Sequence, residues 1–174
     1  MPVNIEIKAH CNDPAFVAER LQQLHADHKG TDHQVDTYFK VEKGRLKLRE
    51  GNIENNLIYY LRNNQVGPKK SEVILYPSGS DGSLKDILGK VLGIMVVVDK
   101  HRDIYFIDKV KFHIDRVKGL GSFVEIEAIG EAGDEEELGE LCARYMELLH
   151  ISDDHLIDVS YSDLLMNKEN DEIG

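Results

Sequence analysis

Residues 3–10 read VNIEIKAH and alternate strictly between apolar and polar side chains. This period of two predicts a β-strand with one apolar face and one polar face. Further strands are predicted at 34–39, 45–49, 57–62, 71–76, 96–107, 109–115 and 123–129. Helices are predicted near 14–25, 84–91, 134–149 and in part of 153–166, and Asp13 is expected to cap the first of them. About eight hairpin-like strands with interspersed helices predict an α+β fold with an antiparallel sheet, because a buried parallel sheet would be apolar on both faces.

The composition is that of a globular protein, with 174 residues, 41% hydrophobic and 30% charged. This length predicts one domain, over residues 1–166, followed by a polar and frayed tail at 167–174. The net charge of −11 argues against a nucleic acid or an anionic membrane as partner. Cys11 and Cys142 form no CxxC motif, and the N-terminus lacks the apolar run of a signal peptide. A cytoplasmic location is therefore predicted.

The polar faces of the predicted strands sort by the sign of their charge. Cations recur at period two in 45–49 and 100–102, and carboxylates recur in 125–127. Glu6 and Lys8 share the polar face of the first strand. If the strands roll into a barrel, these charges line its interior while the apolar faces meet helices outside. Such a lining fits a polyphosphate carried with a divalent cation, because Arg and Lys bind phosphate oxygens and clustered carboxylates bind Mg²⁺ or Mn²⁺.

A solvated sheet face with cross-strand salt bridges is the alternative, and for any single strand it is the more usual arrangement. Several strands share the pattern, so the residues by themselves leave both arrangements open. The eight histidines form no HxxxH or HxH pair. His10 and His113 could face the interior of such a barrel by their position on the strands, but an ordinary polar-face histidine is the simpler expectation.

Six short segments occur in an informative order along the chain. They read NIEIK at 4–8, QVDTYF at 34–39, LKLR at 46–49, KHR at 100–102, GLGSFVEIE at 119–127 after Asp115, and SYSDLL at 160–165. In this order they resemble the CYTH family, with its ExExK, LRxR, KxR, D…GLGxFxExE and SYxxLL motifs. That family includes class IV adenylyl cyclases, thiamine triphosphatases and inorganic triphosphatases. The resemblance covers residues 3–166, nearly the entire chain.

This resemblance implies a closed eight-stranded antiparallel β-barrel with helices packed outside and a triphosphate in its tunnel. Catalytic roles are implied for Lys8, Glu6 and Arg49. The phosphate-binding residues that it implies are Lys8, Lys47, Arg49, Arg62, Lys100 and Arg102. The ligands that it implies for Mg²⁺ or Mn²⁺ are Glu6, Glu125, Glu127 and Asp115. Glu72 lies near a further acidic position of the family.

Departures from the family pattern affect both sides of this site, and on the acidic side they diminish it. Asn4 replaces the first Glu of ExExK and removes one carboxylate. Lys47 replaces the usual Arg, which keeps the charge but loses a bidentate contact. The segment 71–75, SEVIL, lacks the alternating acids expected there.

The predicted function is metal-dependent hydrolysis of an inorganic or organic triphosphate. One alternative is class IV cyclase chemistry, which converts ATP to cyclic AMP and pyrophosphate. The other is non-catalytic binding of a polyphosphate, which the departures motivate. Both reactions depend on charge stabilisation and in-line positioning more than on a covalent nucleophile. The expected partner is a small molecule containing a triphosphate, and the sequence leaves a homodimer open.

Overall fold

The computed structural model describes residues 2–62, 67–79 and 81–173. The strands are β1 (Pro2–His10), β2 (Asp27–Phe39), β3 (Arg45–Glu50), β4 (Asn56–Arg62), β5 (Lys69–Pro77), β6 (Ile94–Ile107), β7 (Val110–Val117) and β8 (Gly121–Glu131). The helices are α1 (Pro14–Gln23), α2 (Ser83–Leu92), α3 (Glu135–Leu148) and α4 (Tyr161–Ile173), with a short 3₁₀ helix at Asp153–His155.

The eight strands form a closed antiparallel barrel in the order β1-β5-β4-β3-β2-β6-β7-β8. Closure depends on β1, which pairs with β5 on one side and with β8 on the other. The longest pairing joins β2 to β6. The expected α+β fold with a closed eight-stranded barrel is therefore confirmed.

The alternation of side chains explains how the barrel acquires a polar lumen. Along β1, the apolar residues Ile5 and Ile7 are buried on the outer face, beneath helices. The intervening polar residues Glu6 and Lys8 face the lumen. One hydrophobic core thus lies outside the barrel, between the strands and the helices. A second cluster, which includes Tyr38 and Phe123, lies on the inner face of the barrel, which also carries the charged groups.

Two helices cover this core. In α1, the Asp13 carboxylate accepts a hydrogen bond from the Phe16 backbone N–H at 3.0 Å, which confirms the expected cap. Helix α3 packs against β1 and β8, and its Leu138 is fully buried. By contrast, the helix predicted at 84–91 forms as α2 with none of its described residues buried.

Two segments differ from expectation. Strand β2 begins at Asp27, whereas the sequence predicts it from residue 34. The additional residues pair only with β6 and are mostly exposed, so burial imposes no alternation on them. Helix α4 continues to Ile173, across most of the segment expected to form a frayed tail.

Candidate active site: a charged tunnel

The basic wall of the tunnel is built on β3 and β6, with β2 between them. Lys47, Arg49 and Lys100 converge on the carboxylate of Asp36. Arg49 Nε and Nη2 donate to it at 2.9 and 2.8 Å, and Lys100 Nζ donates at 2.8 Å. Lys47 Nζ lies 3.2 Å from the same carboxylate. Asp36 is 1% exposed and holds these three predicted phosphate-binding side chains together.

The electrostatics of this cluster favour an anionic ligand. Burial by itself would raise the pKa of Asp36, but Arg49, Lys100 and Lys47 hold it well below its usual range. Burial lowers the pKa of Lys100 to about 7, with Arg49, Arg102 and Lys47 adding to that effect against the opposing contact with Asp36. Lys100 is thus crowded by positive charge that an anionic group in the tunnel would offset.

Two hydrogen bonds to the buried Asp115 fix the position of the Arg102 guanidinium. Its Nε and Nη2 atoms donate to the two oxygens of the Asp115 carboxylate, both at 2.7 Å. The Tyr161 hydroxyl donates to the same carboxylate at 2.7 Å. Asp115 is fully buried and both its oxygens are engaged. This geometry favours a role for Asp115 in positioning Arg102 over the role of metal ligand implied by the family resemblance.

The acidic wall centres on Glu6 and Glu127, which lie directly opposite each other on β1 and β8. Asn4 Nδ2 donates to Glu127 Oε1. Burial, and then the charge of Glu6, raise the pKa of Glu127 to about 7. Two facing carboxylates of this kind are a suitable donor set for a hard divalent cation.

Within the described residues, no three His, Cys, Asp or Glu side chains are grouped closely enough to hold a metal ion by themselves. Mg²⁺ is commonly bound by one or two carboxylates together with phosphate oxygens of a substrate. Glu6 and Glu127 fit that kind of site, in which the ligand completes the coordination.

Glu125, predicted as a metal ligand, is surrounded by donors. Lys8 Nζ lies 3.4 Å from it, Arg102 Nη2 donates at 3.2 Å, and His113 Nδ1 lies 3.0 Å away. Although burial by itself would raise the pKa of Glu125, Arg102 and Lys8 hold it well below its usual value. Glu125 therefore links the acidic wall to the basic one.

His113 departs from the expectation of an ordinary polar-face histidine. It is 2% exposed, lines the tunnel, and has no hydrogen-bond partner at Nε2 within the described chain. Burial, and then the neighbouring Arg102, lower its pKa to about 4. The neutral ring is therefore expected to donate from Nδ1 to Glu125, leaving Nε2 as an acceptor facing the lumen. His10, by contrast, is exposed.

The turn between β3 and β4 places the Glu54 side chain in the tunnel. Glu54 accepts from Lys111 Nζ at 2.5 Å and from Arg49 Nη1 at 3.4 Å. Although burial by itself would raise the pKa of this carboxyl, Lys111 and Arg49 lower it. The sequence analysis missed Glu54 because it lies in a turn, outside the period-two pattern.

Asp32 fixes the shape of this turn. Its carboxylate accepts three backbone N–H groups, from Asn52 at 2.6 Å and from Ile53 and Glu54 at 2.9 Å each. A Cβ atom at Gly51 would lie 2.6 Å from Asp32 Oδ1, so the close approach requires glycine. Asp32 thereby determines where the Glu54 side chain enters the tunnel.

The remaining wall, from β4 and β5, is largely apolar, and its residues are Ile58, Tyr60, Val73 and Leu75. Ile58 lies opposite Leu75, and Tyr60 lies opposite Val73. Glu72 pairs with Val3 and so shares the outer face of the barrel, away from the lumen. The side chain of Arg62, predicted to bind phosphate, lies outside the described part of the chain.

A closed barrel with clustered buried cations and facing carboxylates in its lumen has the architecture of a triphosphate-tunnel protein. A family model described as CYTH domain matches residues 3–161, and the chain belongs to the CYTH family. This family contains triphosphatases and adenylyl cyclase-like enzymes, and its tunnel enzymes are in general metal-dependent.

Known proteins resemble the chain over nearly its full length. A Methanocaldococcus jannaschii protein, provisionally named an adenylate cyclase, is 27% identical over 179 residues, covering 93% of this chain and 98% of that protein. The PH1012 protein of Pyrococcus horikoshii has a structure that matches with a TM-score of 0.80 at 21% identity, covering 92% of this chain and 98% of that one.

The Hippeastrum protein HpAC1 shares the fold at lower identity. Its structure matches with a TM-score of 0.66 at 12% identity, over 98% of this chain and 96% of that one. HpAC1 was named an adenylyl cyclase provisionally and is described as having a dominant triphosphatase activity. None of the described helices is long and apolar enough to cross a membrane.

Proposed function

We propose that the chain is a metal-dependent triphosphatase that hydrolyses an inorganic or organic triphosphate bound in the tunnel. One observation carries the proposal: clustered buried cations on β3 and β6 share a lumen with the facing carboxylates Glu6 and Glu127. A triphosphate needs the first set for its oxygens, and its divalent cation needs the second. The triphosphatase activity described for HpAC1 supports hydrolysis as the reaction.

The basic side chains bind the phosphate chain and stabilise its charge. Lys47, Arg49, Lys100 and Arg102 would bind phosphate oxygens from one side, and Lys8 from the other. In hydrolysis, a water oxygen bonds to the terminal phosphorus while the bridging P–O bond breaks and its electrons pass to the departing diphosphate. Fixed cations stabilise the charge that develops on these oxygens, and this is the main contribution expected of the protein.

Mg²⁺ or Mn²⁺ would be held by Glu6 and Glu127 and, when bound, neutralises phosphate charge. Asp36 and Asp115 hold the cations in place, so the phosphate site is organised before the ligand arrives. Lys8, Glu6 and Arg49 are the residues on which we expect turnover to depend most.

Adenylyl cyclisation is a second candidate because the relative at 27% identity carries a cyclase name. In that reaction the ribose 3′ oxygen attacks the α phosphorus and pyrophosphate leaves. Binding without turnover is a third candidate, because Asn4 stands beside Glu127 where the family has a carboxylate.

One panel of assays separates these functions. Phosphate, pyrophosphate and cyclic nucleotide are measured from inorganic triphosphate, ATP, GTP and thiamine triphosphate, each with Mg²⁺, Mn²⁺ or EDTA. Metal-dependent phosphate release is the expected result. Pyrophosphate together with cyclic nucleotide would identify a cyclase instead. Binding of triphosphate with no product under any condition would identify a binding protein.

A further inference from the structure

The apolar wall of the tunnel is the feature that triphosphate chemistry leaves unexplained. Ile58 with Leu75, and Tyr60 with Val73, form two neighbouring cross-strand pairs on β4 and β5. All four side chains line the same lumen as the charged walls. Phosphate oxygens gain nothing from such a surface, because each needs a hydrogen-bond donor or a cation. An inorganic triphosphate would therefore bind to the charged walls and leave the apolar wall exposed to water.

The wall is also distinct from the packed core. One core cluster lies on the outer face of the barrel, beneath the helices. The second contains inward-facing residues such as Tyr38 and Phe123 but none of the four wall residues. Val73 is only half-buried, and Leu75 is 59% exposed although it lines the lumen, which places it at a mouth of the tunnel. Apolar side chains that face an open cavity beside a few polar groups are typical of a site that receives an apolar part of a ligand.

The junction between the basic and apolar walls indicates how such a ligand would lie. Lys47 on β3 is directly opposite Ile58 on β4. The Lys47 ammonium is 5.3 Å from the ring centroid of Tyr38 and 5.6 Å from that of Tyr60. A phosphate bound at Lys47 would thus have aromatic and aliphatic surface immediately beside it.

We infer that the β4–β5 wall is the specificity site for the organic group of the substrate, and that this group contains a planar aromatic ring. Flat rings pack well against tyrosine rings and branched aliphatic side chains. Asn56 and Ser71 border the wall and offer hydrogen-bonding groups for the edge of a heterocycle. The inference rests on the proposed function, since it assumes that the charged walls bind a triphosphate.

The test compares binding of ATP, thiamine triphosphate and inorganic triphosphate by titration calorimetry in EDTA, together with kcat/KM for the same compounds in Mg²⁺. The variants are Ile58→Thr and Val73→Thr, which keep a β-branched side chain and add a hydroxyl to the wall. Ile74→Thr is the matched control, because Ile74 is 56% exposed on the outer face of the same strand.

We expect the wild-type chain to prefer at least one of the two organic triphosphates to inorganic triphosphate by about tenfold or more. Each wall variant should remove most of that preference while leaving the affinity for inorganic triphosphate unchanged, which also shows that the variant is folded. The control variant should change neither the preference for the organic triphosphate nor the affinity for inorganic triphosphate. Equal or tighter binding of inorganic triphosphate, or equal weakening of all ligands in the wall variants, would overturn the inference and leave the triphosphate tunnel intact. If no triphosphate binds at all, the proposed function fails and the inference fails with it.

Discussion

Replacing Asp36 by Asn tests whether one buried carboxylate keeps the basic wall together. In the wild-type chain this carboxylate contacts Lys47, Arg49 and Lys100 at 2.8 to 3.2 Å. Asn removes the charge and keeps the size, so three cations lose their common counter-charge. Removing one partner from a buried ion cluster costs about 3–5 kcal/mol.

For a domain of this size, about 1 kcal/mol corresponds to roughly 2–4 °C in the melting temperature. The Asp36→Asn variant should therefore melt roughly 6–20 °C lower, measured by calorimetry at pH 7. The matched control is Asp99→Asn, because the Asp99 side chain is 37% exposed and its carboxylate lies in a surface pair with His33 at 2.8 Å. A surface pair of this kind contributes about 0–1 kcal/mol, so the control should melt within a few degrees of the wild type.

The pH dependence of this difference follows from the lowered pKa of Asp36. A carboxyl whose folded pKa lies below its unfolded value, here near 3.8, contributes stability above that value and loses it as the pH falls through the folded pKa. The gap between wild type and Asp36→Asn should persist from pH 7 to about 4 and narrow only below it. If Asp36→Asn melts like Asp99→Asn at pH 7, the cations do not depend on Asp36 and the reasoning is refuted.

Three further predictions concern the phosphate site, the acidic wall and the support of Arg102. Lys8→Ala and Arg49→Ala should each weaken triphosphate binding by about 2–5 kcal/mol in titration calorimetry, and unchanged affinity in both would contradict the site assignment. Asn4→Glu should raise metal-dependent phosphate release if the missing carboxylate limits turnover; a folded variant with no gain would rule that explanation out. Tyr161→Phe should lower stability by about 1–3 kcal/mol in chemical denaturation, whereas Tyr59→Phe, which loses an exposed hydrogen bond, should have little effect.

The fold and much of the tunnel lining follow from the sequence because successive side chains along a barrel strand point alternately inward and outward. That period places Glu6, Lys47 and Arg49 in the lumen, where the structure has them. The sorting of charges by sign was the additional signal, since a solvated sheet face has no physical reason to separate cations from carboxylates strand by strand.

The supporting residues were harder to predict. Asp36 falls on the lumen face by the same period, but only the pairing of β2 with both β3 and β6 shows that it stands between two rows of cations. Glu54 enters from a turn whose shape depends on hydrogen bonds to Asp32, a contact across 22 residues that no local pattern encodes. The usual behaviour of histidine on a strand predicts an ordinary polar-face residue for His113 and does not reveal its burial inside the lumen.

The insertion of β1 between β5 and β8 has a consequence for how the protein is made. The nine residues of β1 pair with the whole of 123–131, so β1 leaves the ribosome long before its partner on β8 exists. Synthesis proceeds at about 5–20 residues per second, so both partners are present only after several seconds. During that interval the growing sheet has open edges, which are the part of a β protein most prone to pair with other chains. The charged tunnel draws on Lys8 from β1 and on Glu125 and Glu127 from β8, so it is assembled only once most of the chain has been synthesised.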